Sequence, residues 1–307
     1  ICSVFLQDDA PRNLKKLLEK ADILIGKYQF QMVFEKEKAE DFNKSQMLSL
    51  AYYLRYHYKQ YFFELIDIYS QLDAWYGMAM AVNEFNLSFP VFISSDDPVL
   101  KAEKLYHILL QDPVAYDVEL NHHNNFIFLT GANMAGKSTF IKAVGSTVFL
   151  APIGMGVTAE SMVLSLFDGL LSNINVVDNI VKGESFFYNE VQRIKSTILK
   201  VNDQRKWLIL IDELFKGTNV EDAMKCITVV IEGLIKIKRS LFILSTHLYE
   251  ISEKLKGYPN IDFKYFETEV TGDTLIFNYK LKDGVSNDRL GYLILKREKV
   301  IDLLEKL

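Results

Sequence analysis

The sequence predicts an α/β domain on a mixed, mainly parallel sheet, preceded by an all-α region of long helices. Three observations lead there. Short apolar runs recur in the second half, at residues 125–130, 207–211 and 240–245, with helical stretches between them. Strands this continuously apolar are buried on both faces, as in a parallel sheet covered by helices. Residues 263–270 and 274–281, joined around Thr271-Gly272-Asp273, read as an antiparallel hairpin. The first part of the chain instead carries the helical period.

Taken in order, residues 11 to about 36 predict a helix. Leu14, Leu17, Leu18, Ala21, Leu24, Ile25 and Tyr28 keep the i, i+3, i+4 spacing, and Pro11 suits a first turn. Residues 36–44 form a charged turn. A single long helix then follows the seam Ala51, Leu54, Tyr58, Tyr61, Leu65, Ile68, Leu72, Trp75, Ala79 and Val82. It would span on the order of 50 Å. The aromatics between Tyr52 and Phe63 read as core packing in preference to a base-stacking platform. Pro90 and Pro98 end this region, so the expected domains are residues 1–98 and 99–307. A helix over residues 220–238 and a last one over 290–304 complete the pattern.

Chemistry enters at Gly131-Ala132-Asn133-Met134-Ala135-Gly136-Lys137-Ser138-Thr139. It fits G-x-x-x-x-G-K-[ST], a phosphate-binding loop, set between a strand and a helix as the motif requires. Glycines let successive N–H groups turn inward, and the helix adds its unpaired N–H groups at the same point. Lys137 supplies a charge for the β- and γ-phosphates, and the Ser138 hydroxyl can ligate Mg²⁺. The strand ending in Asp212-Glu213 gives a second signal: Asp212 to hold Mg²⁺, Glu213 to polarise an attacking water. Thr246-His247 closes a third strand, where His247 can reach the γ-phosphate or that water. In a parallel sheet these tips share the carboxyl edge.

Composition sets bounds. The chain has 307 residues, 49% hydrophobic, with formal net charge -5. A sizeable core is available, and the charge argues against a surface made chiefly for nucleic acid, so any DNA contact would come from a local patch or another part of the protein. Cys2 and Cys226 have no metal spacing and suit a reducing cytoplasm. No apolar run reaches eighteen residues, so no membrane-spanning helix is expected. The chain starts at Ile1 and not at Met, which points to a piece of a longer protein.

These motifs together resemble one family. Residues 130–139, TGANMAGKST, are similar to the phosphate loop of MutS-type DNA mismatch repair ATPases, including its Asn133-Met134 pair. DELFKGTN at residues 212–219 resembles that family's acidic strand end and turn. Residues 245–250 resemble its A-T-H-Y-x-E segment, Gly183-Glu184-Ser185-Phe186-Phe187 its signature stretch, and residues 283–291 its closing D-G run. Ala132, Ala135 and the pair Phe215-Lys216 depart from the family pattern.

The resemblance implies an ABC-like P-loop ATPase head using ATP and Mg²⁺, behind a helical lever. It implies a dimer of two copies with composite sites. One copy brings Gly131, Asn133, Met134, Ala135, Gly136, Lys137, Ser138, Thr139, Asp212, Glu213 and His247; the other brings Ser185. Tyr279 and Val114 stand where relatives stack a ring on adenine. Double-stranded DNA would be held through segments outside this chain, in which no mismatch-reading domain is expected. The alternative is an ATP-driven dimerisation or clamp switch of a diverged paralogue, acting on branched DNA or outside mismatch repair.

Overall fold

The computed structural model describes residues 10–26, 41–174, 186–201, 203–271 and 274–286, with 33, 36, 38, 299, 300 and 303. The chain divides into two compact units, Ile1–Ala81 and Val82–Leu307. The first holds helices α1 (Arg12–Ile25), α2 (Lys44–Tyr56) and most of α3 (Lys59–Glu84). Asn43 and Gln46 start α2 with a reciprocal capping box, at 2.9 and 3.1 Å. Ala21 and Leu24 of α1 pack with Ile68 of α3, flanked by Leu17, Leu65 and Leu72.

Where the sequence predicts one long helix, the structure has two, parted at His57 and Tyr58. No Pro or Gly marks the break. Tyr58 is wholly buried and its hydroxyl donates to the Leu24 carbonyl at 2.6 Å. The N–H groups of His57 and Tyr58 both donate to the Tyr53 carbonyl, which closes α2. The 26 residues of α3 span about 39 Å. The expectation of core packing for the aromatics holds at Tyr58 and fails at Tyr52, Tyr56, Phe62 and Phe63, which are exposed. The stripe of α3 packed on α1 is narrow, and Phe62 and Phe63 lie off it.

The second unit adds β1 (Val91–Ile93), β2 (Leu100–Leu105), β3 (Tyr116–Leu120), β4 (Phe126–Thr130), α4 (Lys137–Leu150), β5 (Ser161–Ser165) and β6 (Gly169–Asn173). Then follow α5 (Phe186–Val201), β7 (Trp207–Asp212), α6 (Val220–Leu234), β8 (Ser240–Ser245), α7 (Ser252–Leu255), β9 (Ile261–Thr271) and β10 (Thr274–Asp283). Four strands form a sheet in the order β1-β5-β2-β3, and six form another, β10-β9-β4-β8-β7-β6. In the larger sheet every pair is parallel except the β9–β10 hairpin. The sequence places a domain boundary near residue 98. The units part earlier because Ser88 bridges Val157 and β1 pairs with β5.

The apolar runs alternate between two cores, as period two demands. Ile127, Leu129, Leu208, Leu210, Leu241 and Ile243 face α4 and the four-stranded sheet. Phe126, Phe128, Ile209, Ile211, Phe242 and Leu244 face α5 and α6. Each such side chain contributes about 1.5–3 kcal/mol by burial. Gly145, a weak residue for a helix, has a packing reason: a Cβ there would sit 2.7 Å from Leu210 Cδ1. The helix predicted over residues 290–304 falls almost entirely outside the described residues. Among the described residues no helix is long and apolar enough to cross a membrane.

Candidate functional site

The carboxyl ends of β4, β7 and β8 emerge on one edge because the three strands are parallel neighbours. After Thr130 the chain turns through Gly131 at φ 140°, Met134 at φ 70° and Gly136 at φ 111°. Gly136 is the N-cap of α4. It offers no side-chain cap, and the first turn holds no acidic residue. The helix therefore starts with N–H groups open to an anion. A Cβ at Gly136 would also meet the Tyr279 ring at 3.4 Å. Ala132 and Ala135 are both buried, and neither has a positive φ, so the two departures from the family pattern add no backbone strain.

Lys137 is 4% exposed. Its ammonium donates to the carbonyls of Gly131 at 2.7 Å and Ala132 at 3.0 Å, and lies 3.6 Å from a Glu213 carboxylate oxygen. Burial pushes its pKa below the ordinary lysine range; the Glu213 and Asp212 carboxylates oppose that shift without cancelling it.

Asp212 ends β7, and its Oδ1 accepts the Ser245 hydroxyl at 2.6 Å. Glu213 then adopts φ 56° and donates its N–H to the Ser245 carbonyl at 3.2 Å. Its carboxylate takes the Lys216 ammonium at 2.7 Å. Burial pushes the Glu213 carboxyl upward, but Lys216, Lys137 and His247 outweigh burial and hold it below the usual range. His247 is exposed beyond β8 and close enough to act on that carboxylate. The following N–H of Leu248 is taken by the Thr246 hydroxyl at 3.0 Å, which leaves the His247 ring free of a capping duty.

These groups border a cavity of about 410 Å³. Lys137, Ser138, Thr139 and Glu213 line it, with Asn133, Met134 and Gly136. Tyr279 and Val114 line it too, with Tyr116, Leu110 and Asp112. Tyr279 sits at φ 53° where the register of β10 slips between Phe277 and Leu281. The ring there lies beside Gly136. Gly131 and Ala135 lie buried at the base of the loop. Asp212 and His247 stand beside the cavity and not in its lining. Ser185 lies outside the described residues.

Residues 127–301 match the family model for MutS domain V. The chain belongs to the MutS family. It is 28% identical over 274 residues to the DNA mismatch repair protein MutS of Thermotoga maritima, covering 89% of this chain and 34% of that protein. With the DNA mismatch repair protein MutS of Staphylococcus epidermidis it shares 29% identity over 293 residues, 92% of this chain and 31% of that protein. The chain thus spans about a third of the length of the curated relatives it matches.

Within this MutS domain V, sequence reasoning missed one residue that shapes the site. Glu190 of α5 is 2% exposed. Its carboxylate accepts the N–H groups of Lys216 at 3.4 Å and Gly217 at 3.5 Å, in the turn just past Glu213. Burial pushes its pKa up, and the backbone N–H groups only partly offset this. A signal existed. Phe187, Glu190, Ile194, Thr197 and Val201 keep helical spacing, so a carboxylate occupies a core position of an amphipathic helix. The closing D-G run also reaches the site: the Ser286 N–H donates to the Thr130 hydroxyl at 2.9 Å, just before the phosphate loop.

Proposed function

We propose that this chain is the Mg-ATP-binding and hydrolysing head of a MutS-like DNA repair protein, whose nucleotide-driven dimerisation is coupled to DNA binding. One observation carries the reading. A glycine-capped helix N-terminus, a buried lysine ammonium and a carboxylate 3.6 Å from it converge on one cavity. That combination suits a triphosphate and an attacking water, and phosphoryl transfer asks a protein mainly for positioning and charge stabilisation.

The N–H groups of residues 133–139 cradle the phosphates, and Lys137 exchanges its loop carbonyls for the β- and γ-phosphate oxygens. Ser138 and Asp212 fit Mg²⁺. They offer oxygen donors only, and among the described residues no group of three or more His, Cys, Asp or Glu could enclose an ion. Mg²⁺ is commonly held in this sparse way, sharing substrate phosphates and keeping waters. Bound there, it would neutralise charge on the phosphate oxygens. Glu213 polarises the attacking water, and His247 hydrogen-bonds that water or the γ-phosphate. Tyr279 stacks on adenine with Val114 giving apolar contact. A second copy completes the ABC-like site with its own Ser185. Residues 1–98 serve as the lever, in a cytoplasmic protein whose double-stranded DNA contacts lie in other segments.

The test is titration with a fluorescent adenine nucleotide, with and without Mg²⁺, alongside phosphate release. The expected result is Mg²⁺-dependent binding and turnover, with affinity lowered roughly 100-fold in Lys137→Ala, the scale of deleting one partner of a buried charged contact. Affinity that survives Lys137→Ala unchanged overturns the reading.

A further inference from the structure

We propose that Glu190 is a positioning residue for hydrolysis: its buried carboxylate fixes the turn at residues 215–217 and thereby sets where Lys216 holds the Glu213 carboxylate. The inference rests on the ATPase reading above and adds to it a residue on a different element.

The argument begins with strain. Glu213 at φ 56° and Phe215 at φ 58° are both left-handed and neither is glycine. Such conformations persist only where the surroundings over-determine them. At Glu213 the surroundings are clear: its N–H is held by Ser245. Beyond it, the grip comes from α5. The Phe187 ring packs on the Phe215 ring with centroids 5.5 Å apart, and one turn later Glu190 receives the N–H groups of Lys216 and Gly217. Lys216 returns its ammonium to Glu213 at 2.7 Å. The chain of contacts is closed: α5, the turn, Lys216 and Glu213.

A buried carboxylate needs a strong reason to be there. Two backbone N–H groups supply one, each taken by a different oxygen of an acceptor-only carboxylate. Glutamine in its place presents one oxygen and one donor, so one N–H of the turn loses its partner. The turn then relaxes, and Lys216 no longer presents its ammonium at a fixed point. Displacement of a reacting group by about 1 Å can cost 100-fold in rate. The phosphate loop meets this chain of contacts at its far end, where Lys137 lies 3.6 Å from Glu213, so nucleotide affinity changes far less than hydrolysis.

The experiment uses the full-length protein with Glu190→Gln, a near-isosteric change that keeps the helix packing. Two readouts are taken. Amide hydrogen exchange should rise about tenfold or more at Lys216 and Gly217 and stay unchanged in β4 and α4. Single-turnover hydrolysis per nucleotide bound should fall about tenfold or more, with the dissociation constant for Mg-ATP within about twofold of wild type. In a Glu213→Gln background the same change should cost nothing further. A purely structural role predicts otherwise: binding and hydrolysis fall together, or hydrolysis per bound nucleotide stays at the wild-type rate. Either result overturns the proposal, as does unchanged exchange at the two amides. Wild-type protein that binds and hydrolyses ATP while Glu190→Gln does so equally well sinks this inference alone. Wild-type protein with no nucleotide affinity sinks the ATPase reading and this inference with it.

Discussion

Two loops at one sheet edge bend the backbone into the left-handed region, and they do it by different means. The phosphate loop places Gly131 and Gly136 at two of its three positive φ values. The acidic turn places Glu213 and Phe215 there. Glycine adopts these angles without steric cost; other residues need about 1–2 kcal/mol each from elsewhere. The first loop is thus largely specified by its own letters. The second is specified by Ser245, Phe187 and Glu190, which are remote in sequence.

The largest expected effect follows from that dependence. Phe215 is 4% exposed against Phe187. Phe215→Ala removes a buried ring and the wedge that holds the turn. It should destabilise the second unit by about 3–5 kcal/mol in denaturant unfolding. A loss below 1 kcal/mol would show that the turn holds its own shape, and the contrast between the loops would disappear.

Gly136→Ala attacks the other loop. At φ 111° a Cβ is strained whatever the space, although it would only touch the Tyr279 ring, at 3.4 Å. The expected cost is about 1–3 kcal/mol. It should appear mainly as a roughly 10- to 100-fold loss of adenine nucleotide affinity by calorimetry, because the residue caps the helix whose N–H groups are proposed to hold the phosphates. Full affinity in this variant would mean that the glycine's freedom is not what shapes the cradle.

The same division explains what was legible beforehand. The strand–loop–helix around Gly131, the carboxylates after β7 and the hairpin at Gly272 all announce themselves locally, by apolar runs and turn residues. The four-stranded sheet does not. Leu100–Leu105 and Tyr116–Leu120 are short and carry Lys, Glu and Asp on their outward faces. Their alternation becomes decisive only when Leu100, Val118 and Leu164 meet in one core. What Glu190 holds was hidden for the same reason: its partners are backbone N–H groups some 26 residues away. Tyr279 was legible only through the family resemblance, since a bulge in β10 brings it to the cavity.

A third bend sharpens the comparison inside the helical unit. The break at His57 and Tyr58 has no Pro or Gly to cause it and is tied to the Tyr58 hydroxyl and its burial. Tyr58→Phe keeps the ring and leaves the Leu24 carbonyl without that donor. The expected loss is about 1 kcal/mol in thermal unfolding. Burial pushes the Tyr58 pKa up. The folded state therefore favours the neutral phenol, so its contribution is full below the ordinary tyrosine pKa and is lost as pH rises through the folded value. The wild type should lose stability at alkaline pH more steeply than Tyr58→Phe does. Parallel curves would place the cause of the break elsewhere.

The smallest effect is the most discriminating. Met134 is the non-glycine residue of the phosphate loop at positive φ, and its side chain is 75% exposed. If the loop is shaped by backbone preference, Met134→Gly relieves about 1 kcal/mol of strain. It also adds conformational freedom to the unfolded chain, which costs about 0.5–1 kcal/mol. Little packing is lost with a side chain this exposed. The two terms nearly cancel, so stability without nucleotide should change by less than about 0.5 kcal/mol. In the acidic turn no such cancellation is available, because Phe215 carries the packing as well as the strain. A loss above about 1.5 kcal/mol in Met134→Gly, beyond what chain entropy explains, would show that the phosphate loop too is held by contacts its own letters do not reveal.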